Sequence, residues 1–133
     1  MKVNKTIVRI LFVLYLTVLM YLCFGKFDSL PTEPRNLFGL EGDKVVHFLM
    51  FLPFPVLSYF AFPMRTRKAW HSLLLAVFFL AAGSVLAAGT EFIQGFIPYR
   101  EADTADFTAD FLALCLSSAA VLALDLNKTA RND

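Results

Sequence analysis

Charge and cysteine are scarce in this chain. Only 17% of its residues are Asp, Glu, Lys or Arg, and the formal net charge is +1. So small a positive balance argues against a nucleic-acid module. Two cysteines cannot build a disulfide framework. The sequence has no Cys/His zinc spacing, no Gly-rich phosphate loop, no nucleophilic-serine motif, no repeat and no low-complexity tract. Apolar residues take their place. They make up 58% of the 133 residues, 15 of them Phe, and mean hydropathy is +0.63. Such a chain is not disordered. A soluble domain of this size could not hide that much apolar surface. The class that remains is a single-domain integral membrane protein.

Four apolar runs carry this reading: Ile7–Phe24, Val45–Met64, Ser72–Phe92 and Phe107–Leu126. Each approaches the roughly 20 residues that a helix needs to cross about 30 Å of hydrocarbon. Backbone groups in lipid must be satisfied within the segment, so the runs are expected to be helices. The predicted fold is an all-α bundle of four transmembrane helices. The first run has a basic start (Lys2, Lys5, Arg9), but it exceeds a signal-peptide core and lacks a small-residue cleavage site. It reads as a retained anchor. Pro53 and Pro55 fall inside the second run and are expected to kink it. The connection Gly25–Asp43, with Pro31, Pro34, Gly39 and Gly42, reads as irregular chain, with Leu37, Phe38 and Leu40 near the interface.

Lysine and arginine set the orientation. An N-terminus-inside arrangement puts Lys2, Lys5, Arg9, Arg65, Arg67, Lys68, Lys128 and Arg131 on the inner side. Lys26, Arg35, Lys44 and Arg100 are then outside. Both termini are expected to be cytoplasmic, with Trp70 in an inner aromatic belt beside an interfacial His71. The acids sort the other way. Asp28, Glu33, Glu41, Asp43, Glu91, Glu101, Asp103, Asp106 and Asp110 fall at the outer side, and only Asp125 and Asp133 are inner. Acids do not set topology, so their crowding has another cause.

Three clusters stand at helical spacing. In Asp43-Lys44-Val-Val-His47, three polar side chains share a face that continues through Phe51, Phe54 and Ser58. In Glu91-Phe-Ile-Gln94, the acid sits one turn beyond Ala87 and two beyond Gly83, a small-residue packing stripe. In Arg100 to Asp110, the acids Asp103, Asp106 and Asp110 line one face that runs on into Ala113 and Ser117. Singly, each has a structural explanation. Acids suit a helix N-terminus, Lys44 can snorkel, and a histidine can simply pack. Together they do not, because an ionisable group inside a span costs roughly 2.5–3.5 kcal/mol. Glu91 and Asp110 lie deepest by position. Glu101 is off the stripe and reads as solvated. Cys23 and Cys115 read as packing residues.

These residues also carry a resemblance. Asp-Lys-x-x-His, then Glu-x-x-Gln, then Arg followed by acids three and six residues on, resembles the VanZ-like membrane family from Asp43 to about Ser117. The motifs are specific in combination rather than singly. The resemblance implies a small helical bundle in a bacterial inner membrane and a link to the cell envelope and teicoplanin resistance. It does not supply a mechanism. The matching positions are Asp43, Lys44, His47, Glu91, Gln94, Arg100, Asp103 and Asp106. The family usually has Asn where this chain has Asp110, and often Gly at Ala113 and Ser117. The first departure adds a charge to the site.

The clustered acids Asp43, Glu91, Asp103, Asp106 and Asp110 outnumber Lys44 and Arg100 and leave a formal −3. Such a group needs protons, a cation or further pairing. Three functions are consistent with it. In the first, the site takes a lipid-linked envelope intermediate or a glycopeptide-related ligand. Lys44 and Arg100 then bind phosphate, Asp43, Gln94, Asp103 and Asp110 complete the ligand contacts, and His47, Glu91 and Asp106 do the chemistry. A divalent cation, if present, would be held by Glu91 and Asp106. In the second, the protein binds or shields a cationic ligand, an antibiotic or a partner without chemistry. In the third, it is a proton-coupled carrier, against which Asp125 reads as isolated. The packing stripes are compatible with one chain or with an oligomer.

Overall fold

Asn4 opens the first helix by accepting the Thr6 N–H on its side-chain oxygen at 3.0 Å. This helix, α1, runs over Lys5–Phe24. The computed structural model describes residues 4–26, 42–64, 66 and 68–131. The expectations for Pro31, Pro34, Leu37, Phe38, Gly39 and Leu40 lie outside the described residues, as do Lys2, Asp28, Glu33, Arg35, Glu41, Arg65, Arg67 and Asp133.

The second span is broken where the prolines fall. It consists of α2, Gly42–Phe51, and α3, Phe54–Ala61. Pro53 has no N–H to donate and sits just before α3; Pro55 occupies its first turn, where a missing N–H costs nothing. A neighbour mends the break. The Tyr15 hydroxyl of α1 donates to the Met50 carbonyl at 2.6 Å. The third and fourth spans are α4, Ala69–Gln94, and α5, Thr104–Ala130. Both are longer than their apolar runs. Asp103 caps α5 by accepting the Ala105 N–H at 2.8 Å, so the helix begins in the acidic segment rather than after it.

Four spans are long and apolar enough to cross a membrane, and no strand occurs among the described residues. Helix α5 packs along α4, α2 and α3, while α1 lies against α3 and α4. One apolar layer contains Leu19, Phe51, Phe54, Ala87, Ala113 and Leu114; a second contains Tyr59, Leu75, Phe79 and Val121. The Arg9 guanidinium donates to the Ala61 carbonyl at 3.1 Å, and the Thr66 and Thr129 hydroxyls meet at 3.3 Å. These contacts put both ends of the described chain at the same end of the bundle as the α3–α4 connection. The polar clusters singled out above gather at the other end.

The small-residue stripe packs inward, with side chains rather than a neighbouring backbone seated against Gly83. Gly83 faces α5 so closely that a Cβ there would collide with the Leu114 side chain and stand 3.0 Å from the Phe54 ring. That approach lets the buried polar faces of α4 and α5 meet.

Candidate functional site

The site is assembled by α2, the end of α4 and the start of α5, and His47 is its centre. The ring is buried, 5% exposed, and has a carboxylate against each edge. Nδ1 lies 3.2 Å from Asp110 Oδ1 and 3.8 Å from Glu91 Oε1; Nε2 lies 3.7 Å from Asp106 Oδ2. Asp110 is wholly buried, and Glu91 and Asp106 nearly so. A neutral imidazole has one N–H. One of its edges would therefore turn a lone pair toward a carboxylate unless the ring carries a second proton, that carboxyl is itself protonated, or a cation sits between them.

The acids are positioned by local geometry. Glu91 Oε2 accepts the Asp103 backbone N–H at 3.1 Å, which ties the end of α4 to the start of α5. Its other oxygen, Oε1, is buried without a hydrogen bond, and so is Asp106 Oδ1. Lys44 Nζ reaches Asp103 Oδ2 at 3.6 Å. Asp43 is exposed and closes a second group with His47 and Asp106. Glu101 is exposed, as its off-stripe position predicted.

Gln94 and Arg100 face α1 instead. Gln94 Nε2 donates to the Cys23 carbonyl at 2.9 Å. Arg100 Nη2 donates to the carbonyls of Leu22 and Gly25 at 2.9 and 3.0 Å, and the Tyr99 hydroxyl to that of Phe24 at 3.2 Å. The last carbonyls of a helix have no intrahelical partner, so these three side chains cap α1 and dock it on the bundle. Residue spacing carries no sign of this, because the acceptors are backbone atoms more than 70 residues away.

Beside the site an open groove of about 280 Å³ runs between α4 and α5. Ala88, Phe92, Ala102 and Phe107 form apolar walls, and Glu91, Asp103 and Thr104 complete the lining. Phe92 is largely exposed on the outer surface of the bundle.

No protein-family model and no solved structure matches this chain. An uncharacterized protein of Schizosaccharomyces pombe is 31% identical over 115 residues, which are 86% of this chain and 62% of that protein. The chain therefore spans less than two thirds of that relative's length. The relative is eukaryotic, so the similarity does not tie the chain to a bacterial membrane.

At the opposite end, Asp125 is not isolated. It is wholly buried, and its Oδ1 accepts the Tyr59 hydroxyl of α3 at 2.8 Å. Asp125 Oδ2 and the neighbouring Ser72 hydroxyl are buried without a hydrogen bond. The signal was present in the sequence: Asp110, Ser117, Val121 and Asp125 fall on one stripe of α5, and all are buried. Tyr59→Phe removes the 2.8 Å donor to this carboxylate and leaves it the nearby Thr66 and Ser72 hydroxyls. It is expected to destabilise the bundle by about 1–3 kcal/mol, read as a lower melting temperature in detergent. An unchanged melting temperature would mean that the hydroxyl is dispensable. Cys23 is buried, Cys115 half-buried, and both thiols are free.

Proposed function

We propose that this is a multi-pass membrane protein that binds an amphiphile. The apolar part of the ligand lies between α4 and α5, and its head group meets the His47–Glu91–Asp106–Asp110 cluster. The observation that supports this is the groove, whose apolar walls end on Glu91 and Asp103. A lipid-linked envelope intermediate or a glycopeptide-related ligand has this division into chain and polar head, as the VanZ-like resemblance implies. The charge of the buried cluster bears on the head group. With Arg100 and Gln94 bonded to α1, the side chains facing His47 are acids. That favours a head group carrying an amine, or a phosphate held through a cation, over a phosphate bound by Arg100 alone.

The orientation with both termini in the cytoplasm follows from the lysine and arginine bias, and it puts the site at the extracytoplasmic leaflet. The bacterial inner membrane belongs to the VanZ-like reading; similarity to a eukaryotic protein extends the proposal to membranes of other cells. A second reading, a proton-coupled carrier, is favoured by Asp125, which supplies a buried acid at the far end of α5.

The groove can be filled without touching the buried cluster. Ala88→Trp is expected to reduce co-purifying lipid at least five-fold after gentle solubilisation, read by mass spectrometry, with the fold intact by circular dichroism. Equal lipid in both preparations would refute the amphiphile reading.

A further inference from the structure

We infer that His47, Glu91 and Asp110 form a divalent-cation site, with Asp106 holding the ring from behind. Their ligand atoms all lie within 4.8 Å of one another, and each comes from a buried residue. Around an ion bound at about 2.0–2.2 Å, neighbouring ligand atoms stand roughly 3–3.5 Å apart. The 3.2 Å from Nδ1 to Asp110 already fits that spacing, the 3.8 Å to Glu91 needs a slight contraction, and the two carboxylates, within 4.8 Å, would close on the ion as it binds.

Three further features point to a cation rather than a plain ion pair. Glu91 is split in function: one oxygen is fixed by the Asp103 N–H, and the other is buried, unbonded and turned toward Nδ1. Asp106 stands 3.7 Å behind Nε2, longer than a hydrogen bond but on the side where a metal-ligating histidine characteristically donates its second N–H to a carboxylate. Nδ1 now shares a hydrogen bond with Asp110 at 3.2 Å; on metal binding the ring proton would move to Nε2 and face Asp106. A dication also balances the two ligand carboxylates with the imidazole neutral, which removes the conflict of one ring facing acids on both edges.

One imidazole and two carboxylates suit zinc or manganese among divalent ions, and three protein ligands leave a position open for water or a ligand group. The groove ends on Glu91, so an open position there would be within reach of a head group. The exposed Asp43 and the second ring nitrogen make a poorer alternative with Asp106, because Asp43 is solvated.

The inference does not rest on the amphiphile reading, and the lipid and metal assays can fail separately. Full-length protein in detergent would be stripped with a chelator and titrated with Zn²⁺ and, separately, Mn²⁺ by calorimetry. Elemental analysis of unstripped protein would run alongside. One equivalent is expected to bind, at least 100-fold more weakly in Glu91→Gln and Asp110→Asn. Asp106→Asn, which alters only the ring's support, is expected to weaken binding about 10-fold. Asp125→Asn, at the other end of α5, should bind as the wild type does. Co²⁺ should give visible absorption that His47→Gln abolishes. Absence of saturable binding by the wild type would overturn the site whatever the variants do. Equal binding by wild type, Glu91→Gln and Asp110→Asn would also overturn it, as an adventitious surface ion.

Discussion

His47→Ala is expected to cost about 3–5 kcal/mol of stability, the range for removing one partner from a buried charged group. The ring contacts Asp110, Glu91 and Asp106 alike. Without it, three buried carboxylates face the space the ring has left and lose its shared proton or its share in holding a metal. The melting temperature in detergent should fall by about 10 °C or more. The double variant His47→Ala/Asp110→Asn should recover part of the loss, because it removes the most deeply buried of the stranded charges. Two residues in contact should show this non-additivity, and two independent ones should not. A fall of less than about 2 °C for His47→Ala would mean that the acids are held apart by something other than the ring.

Gly83→Leu adds a large side chain where α4 is already crowded by α5 and α3. Even a Cβ at this position collides with Leu114 and approaches Phe54, and both belong to the main apolar layer. Leu114 is wholly buried, so its side chain can yield only by displacing its neighbours in this layer. Overpacking of this kind costs about 1–3 kcal/mol and sometimes more, and here it also pushes α4 from α5. That displacement would break the Asp103 N–H bond to Glu91 and open the polar cluster. Lipid retention and melting temperature should therefore fall together. Adding Leu114→Ala should restore both in part, since the removed volume offsets the added one. A Gly83→Leu protein as stable as the wild type would show that the close approach is not needed.

The spans were legible because a 20-residue apolar run has few alternatives in lipid, and the break at Pro53 was legible because a missing N–H acts locally. The stripe through Gly83, Ala87 and Glu91 was also legible: helical period alone places those residues on one face, and all three are buried. The helix ends were less so. Asp103 and Thr104 look like loop residues by hydropathy, yet an aspartate that accepts the Ala105 N–H starts α5 before its apolar run begins. Asp125 was misjudged for a related reason. Along the sequence only the charge of Lys128 lies one turn away, while its hydrogen-bond partner Tyr59 comes from α3, 66 residues away.

The sequence by itself determined the class of this protein, its four spans, the crowding of acids at one end and the residues from which a site could be made. Those properties follow from composition and period, which act within a segment. Tertiary structure decided how those residues divide. It drew His47, Glu91, Asp106 and Asp110 into one buried cluster. It turned Gln94 and Arg100 away to the exposed carbonyls at the end of α1, and it gave Asp125 a tyrosine. A side chain's spacing fixes the face it shares, but the neighbour it meets depends on how the helices pack. In lipid, every buried donor and acceptor must find that neighbour within the protein.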